Sequence, residues 1–299
     1  MYCLFPEHEE QRFATKIQTA IQRIRMASDM AHRYLDAPLY VCLSGGKDSS
    51  VIQQLAVESG CDVVFTHSHT TVDAPETVYF IRDEMKRMES LGYRTQIIKP
   101  KMSMWRLIEH QKGRPPLRTM RYCCAYFKEN SVRLATGRKA FICTGVRWEE
   151  SRQRRDRAEF EVIASDKKNA VKVLANDNDL GRKLFEDCKL KGERVVNPII
   201  DWNEEDVWRF IKKRGVPYNP LYDEGWKRIG CVGCPMASPD QRKRQFERWP
   251  KFKENYIRAI ERGMEKGRAE GIEYTWGGGT RTIRLLDDRV RRPCLIAGI

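Results

Sequence analysis

The sequence predicts an α/β fold in which a mostly parallel sheet is flanked by helices. Short apolar segments typical of buried strands alternate with longer segments whose apolar residues recur at helical spacing. Strands that alternate with helices in this way are joined by right-handed crossovers and pair in parallel. A glycine turn follows the first strand, at the edge of the sheet where such folds bind ligands.

The predicted elements follow one another along the chain. Residues 9–35 carry apolar side chains at helical spacing and predict a leading helix. Strands are predicted at residues 39–43, 61–66, 93–98 and 139–144, and helices at 50–57, from 75, around 124–134 and at 203–215. The helix from 75 has proline in its first turn. The helix at 203–215 has an asparagine cap, early acids, late bases and a closing glycine.

The second half of the chain is less regular. Residues 158–194 are polar, lysine-rich and weakly periodic, which predicts an insertion or a flexible excursion that returns at 195–200. A strongly charged helical segment is predicted at 238–271. A glycine break at 277–279 and a basic tail at 281–292 follow it.

Composition narrows the class of protein. The chain has 299 residues, 41% of them hydrophobic, and its formal net charge of +14 attracts polyanions such as nucleotides and nucleic acids. No apolar run is long enough to cross a bilayer, and the first residues lack the basic start and apolar core of a secretory signal. The ten cysteines favour metal or redox chemistry over a disulfide framework. We therefore expect a cytoplasmic protein without membrane contact.

The turn after the first strand has the composition of a phosphate-binding loop, Ser44-Gly45-Gly46-Lys47-Asp48-Ser49. Two glycines let the backbone turn tightly enough for several N–H groups to point at one anion, at the start of the following helix. Lys47 adds a mobile cation, and the two serine hydroxyls add donors. The spacing is not that of the Walker loop. An ordinary turn rich in Gly and Ser is the alternative interpretation.

Four cysteines form a candidate metal site. Cys123 and Cys124 are adjacent, and Cys231 and Cys234 form a CxxC that is followed by proline. Zinc sites of four cysteines usually combine two CxxC halves around one ion. Adjacent cysteines would strain to meet at one ion, whereas a four-iron cluster offers a separate iron to each thiolate. The pattern favours a 4Fe-4S cluster over zinc, and four free thiols are the third interpretation.

These segments together resemble the phosphoadenosine phosphosulfate (PAPS) reductase family of the PP-loop ATP pyrophosphatase superfamily, whose members split ATP between its α and β phosphates. The resemblance implies an adenine nucleotide alpha hydrolase-like fold. Besides the Ser44–Ser49 loop, the matching motifs are Pro75-Glu-Thr77, Arg121-Tyr-Cys-Cys124 with Lys128, Gly145-Val-Arg-Trp-Glu-Glu-Ser-Arg-Gln-Arg154, Asn197-Pro-Ile199, Trp202, Asp206-Val-Trp208, Asn219-Pro-Leu-Tyr222 and Arg228-Ile-Gly-Cys-Val-Gly-Cys-Pro235.

Two chemistries occur in this family. Its reductases reduce the sulfonate of an adenylyl sulfate without cleaving ATP. They typically have degenerate phosphate loops and commonly carry a nucleophilic cysteine in a Glu-Cys-Gly-Leu/Ile-His tail. Here the loop is intact, and the late cysteine, Cys294, stands in Arg-Arg-Pro-Cys-Leu-Ile-Ala. The resemblance therefore implies the other branch, the sulfur-incorporating proteins of DNA phosphorothioation systems, which keep the ATP loop and bear an iron–sulfur cluster.

The resemblance also implies roles for individual residues. The loop would bind the pyrophosphate of ATP, Lys47 would neutralise the leaving group, and Asp48 would hold Mg2+ or order the loop. Arg147 and Arg154 follow the fourth strand, where guanidinium groups suit phosphate, although a solvated basic face is the alternative. Further ATP contacts are expected from Ser44, Gly45, Gly46, Ser49, His69, Thr70, Gly145, Glu150 and Ser151. His69 stands where relatives often have Asp; either His69 or Asp73 would take the place of that acid, and a solvated loop histidine is the alternative.

Domains and partners complete the expectations. The sequence divides into an N-terminal helix at 1–37, a nucleotide-binding domain with the iron–sulfur site at 38–235, and a basic helical extension at 236–299. The extension predicts nucleic-acid (DNA) binding, while its aromatic residues are expected in the core. A sulfur donor such as a cysteine desulfurase, and assembly as a homo-oligomer or within a complex, are also expected. The alternatives are a thiol-dependent reductase of adenylyl sulfate or PAPS and a non-catalytic nucleotide-binding subunit.

Overall fold

The computed structural model describes residues 6–129, 131–136, 140–151, 154–164, 171–173 and 192–274. These residues fall into two units. The first draws on residues 1–68, 75–98 and 130–229, and the second on residues 69–74, 99–129 and 230–299. The glycine break at 277–279, the basic tail, Arg152 and Cys294 lie outside the described residues.

The helices and strands have the following bounds. The helices are α1 Pro6–Leu35, α2 Lys47–Ser59, α3 Pro75–Ser90, α4 Met104–His110, α5 Tyr122–Phe127, α6 Ser131–Thr136, α7 Glu204–Arg214, α8 Pro239–Arg248 and α9 Pro250–Ala269. The strands are β1 Leu39–Cys42, β2 Val63–Ser68, β3 Arg94–Ile98, β4 Phe141–Cys143, β5 Phe160–Ala164, β6 Val171–Val173 and β7 Gly192–Val196. Short 3-10 turns occur at Trp148–Glu150 and Pro220–Tyr222. Helices α4, α5, α8 and α9 belong to the second unit, and the remaining elements belong to the first.

The first unit is built on a sheet with the strand order β3-β2-β1-β4-β7-β5-β6. The pairs from β3 through β7 are parallel, and Leu39 of β1 lies opposite Val63 on one side and Phe141 on the other. Strand β5 is antiparallel to both β7 and β6. The predicted fold class, a mostly parallel sheet flanked by helices, is therefore confirmed.

The sheet continues into the segment that was predicted to be an excursion. Strands β5 and β6 and the start of β7 lie within residues 158–194 and extend the sheet by antiparallel pairing. Phe160 explains why the chain stays close, because its ring is buried at an edge-on contact with Phe141, 6.5 Å between centroids. The lysine-rich residues around this short strand diluted its apolar signal, so composition pointed to a loop.

The core of the first unit joins the sheet to α1 and α7. Phe13 of α1 packs against Trp202, whose ring also contacts Phe210 of α7. Arg23 of α1 is buried and donates to the carbonyl oxygen of Pro198 and to the carboxylate of Asp201, both at 2.8 Å. These bonds and an ion pair with Glu159 satisfy a charge that would otherwise be costly to bury. The leading helix predicted from the sequence is thus an integral part of this unit.

The second unit is helical. Helix α9 lies close to the turn that follows α4, since a Cβ atom at Gly263 would lie 2.2 Å from the backbone nitrogen of Gly113. The single helical segment predicted at 238–271 is in fact two helices, α8 and α9, because Pro250 begins a new first turn after Trp249. Trp249 and Tyr256 are buried, as expected for core residues. None of the helices in the described part of the chain is long and apolar enough to cross a membrane.

Candidate functional site

The turn between β1 and α2 has a backbone that only glycine fits. Gly45 has φ +76°, and a Cβ atom there would lie 2.6 Å from Cγ2 of Thr77. The Asn219 side-chain amide holds the turn from outside by donating to the Gly45 carbonyl at 3.3 Å and to the Thr77 hydroxyl at 2.9 Å. The loop predicted from sequence is therefore a fixed structure in which α3 and the residues after α7 take part.

Hydroxyl groups order the start of α2. The Ser49 hydroxyl donates to the Gly46 carbonyl at 2.7 Å, and the Ser44 hydroxyl lies 3.2 Å from that of Ser49. The Lys47 backbone N–H donates to the hydroxyl of Tyr222 at 3.0 Å. An oxygen atom thus occupies the position at this helix N-terminus where a phosphate oxygen would be favoured. Burial is the main cause that raises the pKa of Tyr222, so the phenol stays neutral.

Lys47 is buried in a cage of polar and aromatic groups. Its Nζ atom lies 3.3 Å from a carboxylate oxygen of Glu204 and 3.7 Å from one of Asp48. The same atom lies 5.5 Å from the centroid of the Tyr222 ring, within cation–π range. The ammonium group is thus already oriented at the start of α2.

Arg147 sits beneath the loop with only 2% of its surface exposed. Its Nε atom donates to Asp48 at 2.6 Å, and its terminal nitrogens donate to Glu149 at 3.0 Å and Glu204 at 3.1 Å. Burial opposes the charge, but the neighbouring carboxylates, Asp48 foremost, outweigh it and raise the pKa of Arg147. The structure therefore joins Arg147 to Lys47 through two shared carboxylates.

The segment after β4 contributes the other predicted residues of the first unit. Gly145 lies against Asp48, because a Cβ atom there would be 3.0 Å from the Asp48 carbonyl. Glu150 accepts a hydrogen bond from the Arg147 backbone N–H at 3.1 Å and forms an ion pair with Arg154. Ser151 is exposed, and its carbonyl accepts from the backbone of Arg154. Gly145, Arg147, Glu150 and Arg154 are thus linked in a chain that ends on the loop.

His69 and Thr70 belong to the second unit. The Thr70 backbone N–H donates to Asp73 at 3.0 Å, and the Thr70 hydroxyl lies 3.5 Å from the sulfur of Cys231. His69 Nδ1 lies 3.6 Å from the Asp73 carboxylate. Within this unit Thr70 is therefore a neighbour of the cysteines, and its contact with ATP stays a prediction.

The four predicted metal-binding cysteines lie in the second unit and act on one another electrostatically. Cys123 and Cys124 lie in the first turn of α5. A hydrogen bond between their sulfurs raises the pKa of Cys123 and lowers that of Cys124 to about 6, helped by the charges of Lys128 and Arg121. Burial raises the pKa of Cys231.

The spacing of the sulfurs bears on which metal they suit. Among the described residues, no three cysteine sulfurs lie within 4.8 Å of one another. Tetrahedral zinc with Zn–S bonds of about 2.3 Å would require all four sulfurs inside such a span. A four-iron cluster gives each thiolate its own iron and spreads the sulfurs further apart. The donor set of four thiols in one unit suits either group, and the 4Fe-4S cluster stays a prediction.

Sequence reasoning missed several members of the loop network. Asn219 and Tyr222 were noted only as a motif, and Glu204 only as an early acid of α7. A local signal for this turn was present, because an asparagine followed by proline favours a turn, and here Asn219 caps a 3-10 turn. Lys47, the partner of Tyr222, and Thr77, the partner of Asn219, lie more than 140 residues away along the chain, and no local pattern reveals them.

Comparison with known proteins decides the family. The sequence model of the phosphoadenosine phosphosulfate reductase domain matches residues 38–237. The chain belongs to the PAPS reductase family. An adenosine 5'-phosphosulfate reductase of Anoxybacillus flavithermus is 30% identical over 219 residues, which cover 72% of this chain and 80% of the reductase. Membership of the PAPS reductase family supports an enzyme.

Other relatives of this PAPS reductase family member are longer than the matched region. An uncharacterised protein of Methanocaldococcus jannaschii is 26% identical over 221 residues, which cover 73% of this chain, and one of Escherichia phage 186 is 28% identical over 169 residues, or 54% of this chain. The matches span 46% and 44% of those two proteins, less than half of each.

Among solved structures, PAPS reductase from Candida auris aligns with a TM-score of 0.48 at 20% identity, over 78% of this chain and 98% of that one. The U34-tRNA thiolase of Methanococcus maripaludis, solved with its 4Fe-4S cluster, aligns with a TM-score of 0.46 at 15% identity, over 96% and 84%.

Proposed function

We propose that this PAPS reductase family member is an ATP-dependent sulfur-transfer enzyme that adenylates its acceptor. An oxygen of the acceptor attacks the α-phosphorus of ATP and pyrophosphate leaves. A sulfur nucleophile then displaces AMP, which carries that oxygen away, so the acceptor exchanges one oxygen for one sulfur. We further propose nucleic acid as the acceptor, as in DNA phosphorothioation, with a cysteine desulfurase as the sulfur donor and a thiol reductant that releases its persulfide sulfur as sulfide.

The observation that carries this proposal is the complete phosphate loop. Gly45 adopts the left-handed conformation that the tight turn requires, and Lys47 lies at the start of α2 with its ammonium group already positioned. A pyrophosphate leaving group needs this combination of helix N-terminus and cation, since both stabilise the charge that develops on it. A reductase that leaves its nucleotide intact has no need to stabilise such a leaving group.

Within this proposal, Lys47 is the catalytic cation and Arg147 is a positioning residue. Every nitrogen of the Arg147 guanidinium donates to a protein oxygen, so the group is committed to Asp48, Glu149 and Glu204. Its effect on the reaction would pass through Asp48, which it orients beside Lys47. Asp48 remains the candidate for holding Mg2+ on the phosphates.

Cys123, Cys124, Cys231 and Cys234 would hold the cluster. With a thiolate on each of its irons, a bound 4Fe-4S cluster would cross-link two separate segments of the second unit and could carry electrons. The protein residues around it, among them Thr70 and Lys128, contribute a hydroxyl and a positive charge beside the sulfur of Cys231.

Release of pyrophosphate tests the proposal directly. Anaerobically purified protein is incubated with ATP, sulfide and a DNA duplex, and pyrophosphate and AMP are measured together. Both should form in equal amounts and depend on the acceptor. Tight ATP binding without either product, with sulfur donor and acceptor supplied, would contradict the proposal.

A reductase is the second candidate, favoured by the 30% identity to the Anoxybacillus flavithermus enzyme over most of that enzyme's length. A reductase would release sulfite from adenylyl sulfate or PAPS in the presence of a thiol and would not cleave ATP. The same preparation therefore separates the two functions, because sulfite and pyrophosphate are assayed independently.

The net charge of +14 supports the nucleic-acid part of the proposal. Binding that neutralises phosphates weakens steeply as salt rises, since counterions are released. The apparent dissociation constant for a DNA duplex, measured between 50 and about 200 mM salt, should rise by roughly 10-fold or more. Binding that does not respond to salt would count against a phosphate-backbone interface.

A further inference from the structure

The CxxC loop of the second unit is held by residues that lie beyond the family domain. The family match ends at residue 237, shortly after Cys234. Helices α8 and α9 follow, and three of their side chains contact the two residues between the cysteines. We name Gln245, Phe246 and Tyr256 the clamp.

The clamp grips the CxxC loop at both intervening residues. The Tyr256 hydroxyl donates to the Val232 carbonyl at 3.0 Å, and the Gly233 backbone N–H donates to Oε1 of Gln245 at 2.9 Å. Both clamp side chains are buried, with Tyr256 2% and Gln245 3% exposed. Bonds of this kind are strong in a dry environment and leave costly orphans when one partner is lost.

The rings of the clamp also fix the backbone conformation of the loop. Gly233 has φ +74°, and a Cβ atom there would lie 2.8 Å from the Tyr256 ring and 2.9 Å from that of Phe246. The loop can therefore press flat against the rings only because this position is glycine. Trp105 of α4 supports Tyr256 from behind in an edge-on contact, 5.0 Å between centroids.

From these contacts we infer that the clamp positions Cys231 and Cys234 for the cluster, so that the helices outside the family domain determine how firmly the cluster is retained. The inference rests on the proposed cluster, not on ATP cleavage. Gln245 and Tyr256 are positioning residues, because they touch the residues between the cysteines and not the sulfurs.

Variants that remove one hydrogen bond at a time test the clamp. Tyr256→Phe deletes the hydroxyl and keeps the ring, and Gln245→Met deletes the accepting oxygen at similar volume. The matched control is Tyr274→Phe, which deletes a hydroxyl that donates to the Lys112 carbonyl at 2.9 Å in the same unit.

The first readout is retention of the cluster. After anaerobic reconstitution, Tyr256→Phe and Gln245→Met should lose visible absorbance on exposure to air roughly 2- to 10-fold faster than wild type, the range expected for one hydrogen bond. They should also shift the reduction potential of the cluster. Tyr274→Phe should lose absorbance at the wild-type rate. Wild-type retention in both loss variants, or an equal effect of the control, would overturn the inference.

The second readout does not require a cluster. In the metal-free protein, amide hydrogen exchange of the peptide that spans residues 230–237 should be faster in Tyr256→Phe and Gln245→Met than in Tyr274→Phe. Unchanged exchange there would overturn the inference even if no cluster could be inserted. Failure of the proposed function looks different, since pyrophosphate release would then be missing in wild type while the exchange difference persists.

Discussion

Arg147 donates from Nε to a carboxylate oxygen of Asp48 at 2.6 Å, across 99 positions of the sequence. This bond connects the segment after β4 to the first turn of α2. The bond fixes the side chain of Asp48 beside Lys47. Arg147 can therefore orient the loop without contacting a ligand itself.

Removal of Arg147 should destabilise the protein. In Arg147→Ala the carboxylates of Asp48, Glu149 and Glu204 lose their shared partner, and the free energy of unfolding should fall by roughly 2–4 kcal/mol in urea denaturation. The value lies at the lower end for a buried ion pair because Glu149 and Glu204 are half exposed and water screens them. Arg154→Ala, at a more exposed pair with Glu150, should cost less than about 1 kcal/mol. Equal losses would contradict the central role of Arg147.

Gly45→Ala should distort the loop by a steric clash. Its Cβ atom would meet Cγ2 of Thr77 at 2.6 Å, whereas Gly60 has a similar φ of +69° with no atom within 4 Å. Both alanine variants carry the left-handed backbone penalty of about 1–2 kcal/mol. Gly45→Ala should lose more stability than Gly60→Ala, and Thr77→Ser in the same chain should restore part of the difference. Identical denaturation midpoints for the two single variants would show that the loop has room.

Lys47→Ala should abolish pyrophosphate release. Loss of the positioned cation should lower the rate by at least about 100-fold, as for other groups that stabilise developing charge. The control is Lys213→Ala, which removes an exposed ammonium that pairs with Glu10 on the same unit. Activity that survives in Lys47→Ala would transfer the role to another cation.

Tyr222→Phe should reveal whether phosphate replaces a hydroxyl at α2. Without the hydroxyl, the Lys47 backbone N–H loses its partner, and the ligand-free protein should be destabilised by about 1 kcal/mol. A phosphate oxygen would satisfy the same N–H, so the thermal stabilisation by ATP should be larger in the variant than in wild type. Tyr218→Phe, whose hydroxyl donates to Asp223 at the surface, should show no such gain. An equal ATP effect in all three proteins means that the hydroxyl stays bound to Lys47.

Cys123→Ser should eliminate both brown colour and activity. Iron and sulfide contents after anaerobic reconstitution measure the cluster, and pyrophosphate release measures the reaction. Cys61→Ser changes a half-buried thiol of the first unit and should keep both. A colourless Cys123→Ser protein with full activity would remove the cluster from the proposed function.

Sequence reasoning reached the parts of the fold whose signals are local. The strands around the Ser44–Ser49 loop and the capped helix α7 could be predicted because propensity, capping and glycine position agree there. Strand β5 could not, because its partner β7 lies some thirty residues further along the chain behind a polar segment. Strand β5 is stabilised by pairing with a distant strand, and a short stretch of sequence does not contain that partner.

In the candidate site, too, local motifs could be predicted from the sequence and long-range contacts could not. The loop and the cysteines are contiguous motifs, and their residue types announce their chemistry. Tyr222 reaches Lys47 across 175 positions, and Tyr256 reaches Val232 from a helix that was interpreted only as charged. Such contacts are set by the packing of elements, so only the three-dimensional structure assigns them a role.

The loop network has a consequence for how a nucleotide can enter it. Two cations, Lys47 and Arg147, share it with three acidic side chains, those of Asp48, Glu149 and Glu204. This neighbourhood is therefore slightly anionic on its own, and a polyphosphate would be repelled unless it arrives with countercharge. Under the proposed function, the nucleotide would therefore bind together with a divalent ion, and a chelator should weaken nucleotide affinity while leaving the unliganded fold intact.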